Sequence, residues 1–242
     1  MHYKKLWTDL HSNIHHNQMG ELNQWIEHAK KTVDFWPVAY YPFYMKRTET
    51  GAGLEDLYDR EQIEQDWEQL REAVKQQNEA GYPMFMGYEW QGSGEDGDHN
   101  VFFLDNEQPM LHPMRYEELY QAYKDRTAIA IPHHVAYQLG SRGKNWETHR
   151  EAFSPFAEIY SSHGCSENDT GPFDMERHLH MGPRTGETCY ERGIEKGYLV
   201  GMIASGDNHN VPAVHDHGTM CVLVADGSKE AIWEGLLNRR VY

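Results

Sequence analysis

The chain has 242 residues, and 38 Asp and Glu against 22 Lys and Arg leave a formal net charge of −16. Hydrophobic residues are 39% and charged residues 25%, a globular balance that excludes wholesale disorder and collagen-like repetition. So acidic a surface repels phosphate backbones, which argues against a nucleic-acid partner, and no apolar run is long enough to cross a membrane.

Strand-like and helix-like segments alternate along the chain. In order, they are a strand at 5–11, a helix at 20–32, a strand at 33–41, a helix at 55–80, strands at 83–90 and 100–104, a helix at 116–124, strands at 128–132 and 156–161, a helix at 188–196, strands at 198–205 and 220–225, and a last helix capped by Ser228. Segments 44–54, 138–155 and 166–183 are irregular and too long for tight turns. The alternation predicts an α/β barrel or a doubly wound sheet.

The cysteines and the first residues indicate a cellular setting. Cys165, Cys189 and Cys221 are too scattered for a disulfide framework or a paired-cysteine zinc site. The chain opens on polar residues without an apolar signal core. We therefore expect a reduced, cytoplasmic protein.

Potential metal ligands gather where predicted strands end. They are Asp9, His11 and Asn13, then Glu89, His99, His133, His134 and His163, and finally Asp207 and His209. Parallel strands of a barrel bring their carboxyl ends to one rim, where active sites form. Imidazole and carboxylate ligate zinc, manganese and iron, and a carboxylate can bridge two ions. Each residue alone is more often structural, but their coincidence at successive strand ends predicts a metal centre.

The remaining histidines carry weaker signals. His15 and His16 are equally compatible with ligands and with loop residues, and His178 and His180 with a structural or a substrate-edge role. The others, His2, His28, His112 and His149, have no strand-end setting and are expected at the surface.

Five short motifs together resemble those of the PHP (polymerase and histidinol phosphatase) superfamily. They are Asp9-Leu10-His11, Gly87-Tyr88-Glu89-Trp90 with Gly97-Asp98-His99-Asn100, Ile131-Pro132-His133-His134-Val135-Ala136-Tyr137, Glu158-Ile159-Tyr160 with His163-Gly164-Cys165-Ser166-Glu167, and Ser205-Gly206-Asp207-Asn208-His209. The chain is most similar to an uncharacterised bacterial branch of metal-dependent phosphoesterase-like proteins. The resemblance implies one domain over 1–242, a distorted (β/α)7 TIM-like barrel, without the β-rich extension that follows it in similar members.

The resemblance also implies roles for the candidate residues. His11 would bind a first ion with Asp9 as its neighbour or as a further ligand, and Asp207 would complete that site. Glu89 would bridge to a second ion. The remaining implied roles are second-ion ligands for His99 and His133, a third-ion ligand for His209, and substrate contact or proton transfer for His163.

Two departures from the family pattern lower the expected number of ions. Asn13 stands at the second histidine of the His-x-His motif, and Ala39-Tyr40-Tyr41 replaces Thr-Asp-His. Asparagine is a poor neutral ligand, and tyrosine normally donates a hydrogen bond. We therefore expect two divalent ions per chain, zinc, manganese or iron, with Asn13, Tyr41 and His134 as substrate contacts.

Three functions remain open from the sequence. The first is hydrolysis of a small-molecule phosphate ester by a metal-activated hydroxide, with Asp207, His163 and Glu89 catalytic. The second keeps the metal site but cleaves a carboxylic ester or carbamate between aromatic walls formed by Trp90, Tyr40, Tyr41 and Tyr137. The third is a non-catalytic module that binds metal or ligand.

Overall fold

A computed structural model of the chain describes residues 2–47, 53–175, 181–212 and 218–242. Its strands are β1 (Lys4–Thr8), β2 (Asn13–His15), β3 (Trp36–Tyr41), β4 (Phe43–Arg47), β5 (Gly53–Leu57), β6 (Met84–Trp90), β7 (His99–Phe103), β8 (Ala128–Pro132), β9 (Phe156–Ser161), β10 (Gly164–Cys165), β11 (Gly201–Ala204) and β12 (Met220–Val224). Its α-helices are α1 (Leu22–Thr32), α2 (Arg60–Glu79), α3 (Tyr116–Tyr123), α4 (Tyr190–Glu195) and α5 (Lys229–Leu237), with 3-10 helices at His16–Glu21 and Trp146–Thr148.

The described strands pair into four separate sheets. The largest has the order β2-β3-β6-β7-β8, in which β2, β3 and β6 are parallel and β7 is antiparallel to both neighbours. A three-stranded sheet pairs β9 with β11 in parallel and with β10 antiparallel. Two antiparallel pairs, β1–β12 and β4–β5, complete the set in the described ranges.

The expected (β/α)7 barrel is wrong. The described part of the chain is an α/β fold of small, mostly mixed sheets, and its strands form no closed ring. Parallel neighbours need a long crossover, usually a helix, whereas antiparallel neighbours do not. The antiparallel strands β7 and β12 depart from the all-parallel arrangement that the barrel requires. The prediction failed here because the order of strand-like segments in a sequence does not reveal their direction.

Two hydrophobic cores lie on opposite faces of the largest sheet. Helices α1, α2 and α3 pack over the first core, and α5 closes the second. Because side chains alternate along a strand, β6 places Met86 and Tyr88 in the first core and Phe85 in the second. The same alternation puts Glu89, at the end of β6, on the side of the second core.

The predicted helix at 55–80 begins too early. Helix α2 starts at Arg60. Asp59 is its N-cap, because Asp59 Oδ1 accepts a hydrogen bond from the Gln62 amide at 2.9 Å. Residues 53–57 instead form β5, which pairs with β4 in a hairpin, so most of this pair lies in the segment 44–54 expected to be irregular and the rest of β5 in the predicted helix. The predicted cap of the last helix is confirmed, since Ser228 Oγ accepts a hydrogen bond from the Ala231 amide at 3.2 Å.

Within the described ranges, no helix combines the length and the apolar character that crossing a membrane requires.

Candidate metal centre

One carboxylate joins the loop after β1 to the loop after β11. Asp9 Oδ1 accepts hydrogen bonds from the backbone amides of His11 and Gly206, both at 2.9 Å, and Oδ2 accepts one from Asn208 Nδ2 at 3.2 Å. The predicted strand at 5–11 ends at Thr8, so these bonds rather than strand alternation direct His11. Asp9 itself belongs to none of the potential ion-binding groups described below.

His11 has different partners on its two ring nitrogens. Nδ1 lies 2.8 Å from Glu158 Oε2. Nε2 lies 3.6 Å from Glu89 Oε2 and 3.3 Å from Asp207 Oδ1. In metal sites, a carboxylate on one ring nitrogen commonly orients the imidazole and leaves the other nitrogen for the ion. Nε2 is therefore the ligand atom that His11 offers.

Six buried side chains form three overlapping groups that could hold an ion. They are His11, Glu89 and His133; His133, His134 and Asp207; and His11, Glu158 and Asp207, each with ligand atoms within 4.8 Å of one another. Both ring nitrogens of His133 are buried without a hydrogen-bond partner among the described residues. Such nitrogens beside carboxylates fit a divalent transition ion, which takes nitrogen and oxygen ligands.

Two members of these groups have an unusual backbone. His134 has a φ of 35° and Asp207 a φ of 49°, both in the left-handed region that residues other than glycine rarely adopt. Such conformations cost on the order of 1 kcal/mol or more and cluster at functional sites. The surrounding structure therefore holds these two side chains in place at a cost in stability.

Burial and neighbouring charges set the protonation of these side chains. Burial lowers the pKa of His11, but the nearby carboxylates, Asp207 foremost, raise it more, so the pKa of His11 lies well above 6.5. Burial would raise the pKa of Glu89, yet the adjacent imidazole of His11 holds it lower, at about 2. Burial lowers the pKa of His134 to about 4 and that of His133 well below 6.5. Metals bind ionised carboxylates and neutral imidazoles, so Glu89, His133 and His134 are already in that form, whereas an ion must displace the proton of His11.

Glu89 is held by a chain of hydrogen bonds. Asn13 Nδ2 donates to Oε2 at 2.8 Å and Gln91 Nε2 to Oε1 at 3.0 Å. Gln91 also donates to the hydroxyl of Tyr41 at 3.1 Å, and that hydroxyl donates to Glu55. Burial, reinforced by both glutamates, raises the pKa of Tyr41, which therefore stays a neutral donor. Asn13 and Tyr41 thus support Glu89 in this structure.

His163 and Asp207 form a pair beside the groups. His163 Nε2 lies 3.1 Å from Asp207 Oδ2, and Nδ1 lies 2.7 Å from the hydroxyl of Tyr137. The hydroxyl of Ser162 donates to the backbone carbonyl of Asp207 at 2.8 Å. An imidazole held on both sides in this way can hold or transfer a proton.

The structure places His99 outside the groups. Its Nδ1 lies 2.9 Å from the Gly97 carbonyl oxygen, and its Nε2 lies 3.3 Å from Lys144 Nζ. The ring stacks on Tyr116 at a centroid distance of 4.7 Å. Burial lowers the pKa of His99 well below 6.5 and that of Lys144 to about 7.

His209 also lies outside the groups. Its Nδ1 is 2.7 Å from His15 Nε2, and both rings contact Tyr41, with centroids 4.9 and 4.5 Å away. His16 Nδ1 is 2.7 Å from Asp66 Oδ2, on the far side of β3. His15, at the end of β2, therefore lies near the strand-end candidate His209, whereas His16, in the 3-10 helix that follows, does not.

The sequence analysis assigned no role in the site to two residues of this region, Glu158 and Lys144. Glu158 is the only charged residue of β9, and a lone carboxylate in a buried strand is a usable signal. Lys144 carries no signal, because it lies in a segment expected to be irregular. His149, expected at the surface, is 2% exposed. His178 and His180 lie outside the described residues.

No protein-family model matches the chain, and no curated protein matches it. A solved structure does: a two-domain protein from Bacteroides vulgatus ATCC 8482 that contains a predicted PHP-like metal-dependent phosphoesterase. The TM-score is 0.59 and the sequence identity 16%, over 99% of this chain and 64% of that one. This chain thus spans less than two thirds of that protein's length, and at this identity the similarity is one of fold.

Proposed function

We propose that this protein is a PHP-like metal-dependent phosphoesterase whose ion is held by His11, Glu89, His133 and Asp207. The observation that carries the proposal is the buried set of overlapping histidine and carboxylate groups that share these residues. The Bacteroides protein of similar fold supports it, because its name describes a metal-dependent phosphoesterase.

A bound divalent ion supplies Lewis-acid polarisation of a phosphoryl oxygen and lowers the pKa of a bound water. The chain's own residues orient the ligands. Glu158 holds the ring of His11 through Nδ1. Asn13 and Gln91 hold Glu89, each by one carboxylate oxygen. These contacts keep the ligand atoms aimed at a common point before the substrate arrives.

His163 is the side chain best placed to move a proton. Its Nε2 faces Asp207 at 3.1 Å, and Tyr137 holds its other nitrogen at 2.7 Å. The proposed role is to deliver a proton to the leaving oxygen of the ester, with Asp207 stabilising the charged imidazole.

The alternative, cleavage of a carboxylic ester or carbamate, rests on four aromatic residues around the site, and two of them lie in the first core instead. Trp90 and Tyr40 are fully buried in the first core, and the hydroxyl of Tyr40 donates to Asp66 at 2.6 Å. Tyr41 and Tyr137 remain near the groups, each hydrogen-bonded to a site residue. Phosphate esters are therefore the first substrates to test, and carboxylic esters the comparison.

The test is turnover of aryl phosphate monoesters and diesters after loading with zinc, manganese or iron, measured together with metal content. Glu89→Gln should lose bound metal and reduce turnover by more than about 100-fold, because it removes a ligand charge. Glu72→Gln, on the exposed face of α2, is the matched control and should behave like the unmodified protein.

Three outcomes would contradict the proposal. Turnover of aryl carboxylic esters alone would favour the carboxylic-ester activity on the same site. Tight metal binding without turnover of any ester class would favour a non-catalytic metal-binding module. Full activity of Glu89→Gln would show that the centre lies elsewhere.

A further inference from the structure

A buried lysine contacts the histidine that the family resemblance would make a second-ion ligand. Lys144 is 1% exposed, and its backbone amide donates to the Val135 carbonyl at 2.9 Å. Gly97, with a φ of 81°, lies so close that a Cβ there would come within 2.9 Å of Lys144 Cα. The lysine backbone is therefore held on both sides.

The amino group of Lys144 has two close contacts of its own. Lys144 Nζ lies 3.3 Å from His99 Nε2 and 4.3 Å from the centroid of the Tyr116 ring, the distance of a cation–π contact. The same ring of Tyr116 stacks on His99. Lys144 and His99 therefore both pack against the ring of Tyr116.

The tautomer of His99 follows from its other contact. Nδ1 lies 2.9 Å from the carbonyl oxygen of Gly97, which can only accept, so Nδ1 carries the proton. Nε2 is then the unprotonated nitrogen, and its lone pair accepts a hydrogen bond from Lys144 Nζ. A metal ion needs that lone pair at about 2.0–2.1 Å, so it cannot bind while the ammonium group is there.

The charge around Lys144 points to the same conclusion. Among the described residues Lys144 forms no ion pair with a carboxylate, and the nearby Asp96 is engaged by Arg115 and the Tyr116 amide. An ammonium group buried without a counter-charge destabilises the protein, as its pKa of about 7 reflects. Within the described ranges, the one side-chain hydrogen bond of its Nζ goes to His99 Nε2.

We propose that the amino group of Lys144 takes the place of a metal ion at His99, so that His99 is not a metal ligand in this protein. The inference rests on the proposed metal centre, and it confines bound ions to the groups around His11 and His133. The second-ion site that the resemblance implies therefore does not fit at His99.

The experiment compares two buried histidines. His99→Gln and His133→Gln are loaded with Zn²⁺ and dialysed, and zinc per chain is measured by elemental analysis with folding checked by circular dichroism. His99→Gln should keep the zinc content of the unmodified protein, whereas His133→Gln should lose zinc. Loss of one ion per chain in folded His99→Gln would overturn the inference.

A second measurement needs no folded His99 variant. Imidazole ¹⁵N spectra of the unmodified protein during Zn²⁺ addition should show His99 keeping its Nδ1–H tautomer, while His11 and His133 shift. A zinc-dependent shift of His99 Nε2 would overturn the inference. In zinc-free protein, Lys144→Met should shift the His99 Nε2 signal, and its failure to do so would also overturn the inference.

The two proposals fail differently. If the unmodified protein binds no Zn²⁺, the proposed metal centre is wrong. The Lys144–His99 contact is then still decided by the zinc-free spectra of Lys144→Met.

Discussion

At His11, a single contact decides what the ring can do. Glu158 engages Nδ1 at 2.8 Å, which leaves Nε2 facing Glu89 and Asp207. At His99 the opposite happens, because Lys144 engages the nitrogen that would otherwise bind an ion. Two histidines with the same expected role are thus distinguished by their partners rather than by their own chemistry.

The Glu158 contact makes a prediction about metal affinity. Glu158→Gln should lower the affinity for Zn²⁺ by roughly 10–100-fold, because the amide orients the ring of His11 less firmly and lowers its basicity. Competition against a chelator of known affinity measures the change. Glu191→Gln, on the exposed surface of α4, should have no effect. Unchanged affinity in Glu158→Gln would mean that His11 needs no orienting partner.

At the scale of elements, the β4–β5 hairpin is tied to the site by one side chain. Glu55 on β5 accepts hydrogen bonds from the Tyr41 hydroxyl and from Arg142 Nη2, the latter at 2.8 Å. Arg142 Nη1 continues to Asp98 Oδ2 at 2.9 Å. The hairpin is therefore anchored at the end of β3 and at the loop that precedes Lys144.

Removing that anchor should loosen the hairpin locally. Glu55→Gln should raise amide hydrogen exchange in β4 and β5 by roughly tenfold, since it weakens a half-buried charged hydrogen bond. Exchange in β6 and α2 should not change. Glu61→Gln in the first turn of α2 serves as control. Equal exchange in Glu55→Gln and the control would show that backbone pairing alone holds the hairpin.

This hairpin also shows why element boundaries were missed. The acidic residues at 55–56 extend the polar face of α2 in the sequence, so the helix was predicted to begin there. Their actual conformation is set by pairing with β4 across the hairpin, and strand preference depends on such partners more than on the residues themselves. The cap at Asp59, a local signal, marks the true start.

At the scale of the whole molecule, a buried cation costs stability, and the cost depends on pH. The ordinary pKa of lysine is 10.5, and burial lowers that of Lys144 to about 7 in the folded protein. Below pH 7 both folded and unfolded chains carry the proton, and the folded state bears the full cost of burial. Between about pH 7 and pH 10.5 only the unfolded chain keeps the proton of Lys144, so the free energy of unfolding increases as the pH rises.

Replacing Lys144 should therefore stabilise the protein in a pH-dependent manner. The gain in unfolding free energy of Lys144→Met over the unmodified protein should be largest near pH 6.5 and should shrink by up to roughly 1.4 kcal/mol per pH unit towards pH 9.5. Urea denaturation at several pH values measures it. Lys75→Met, exposed on α2, should show no such trend. A gain that does not vary with pH would contradict the lowered pKa.

The sequence pattern alone identified the alternation of strands and helices, the apolar strands, and the strand ends where His11, Glu89, His133 and Asp207 lie. These features follow from local physics, since hydrophobic periodicity, caps and polar residues after buried strands are all read within a few positions. The structure brings these four distant residues together, although the described part of the chain does not form the barrel at whose rim they were expected to meet.

Only the tertiary structure decided strand direction, and with it the separate mixed sheets in place of a closed barrel. It also decided that Nε2 of His11 faces the ligand groups and that both nitrogens of His99 are engaged, because Glu158 and Lys144 reach these two rings from distant segments. Pairing and hydrogen bonding between remote residues leave no period or spacing in a sequence. Whether a histidine at a strand end can bind an ion therefore depends on which remote side chain reaches its ring.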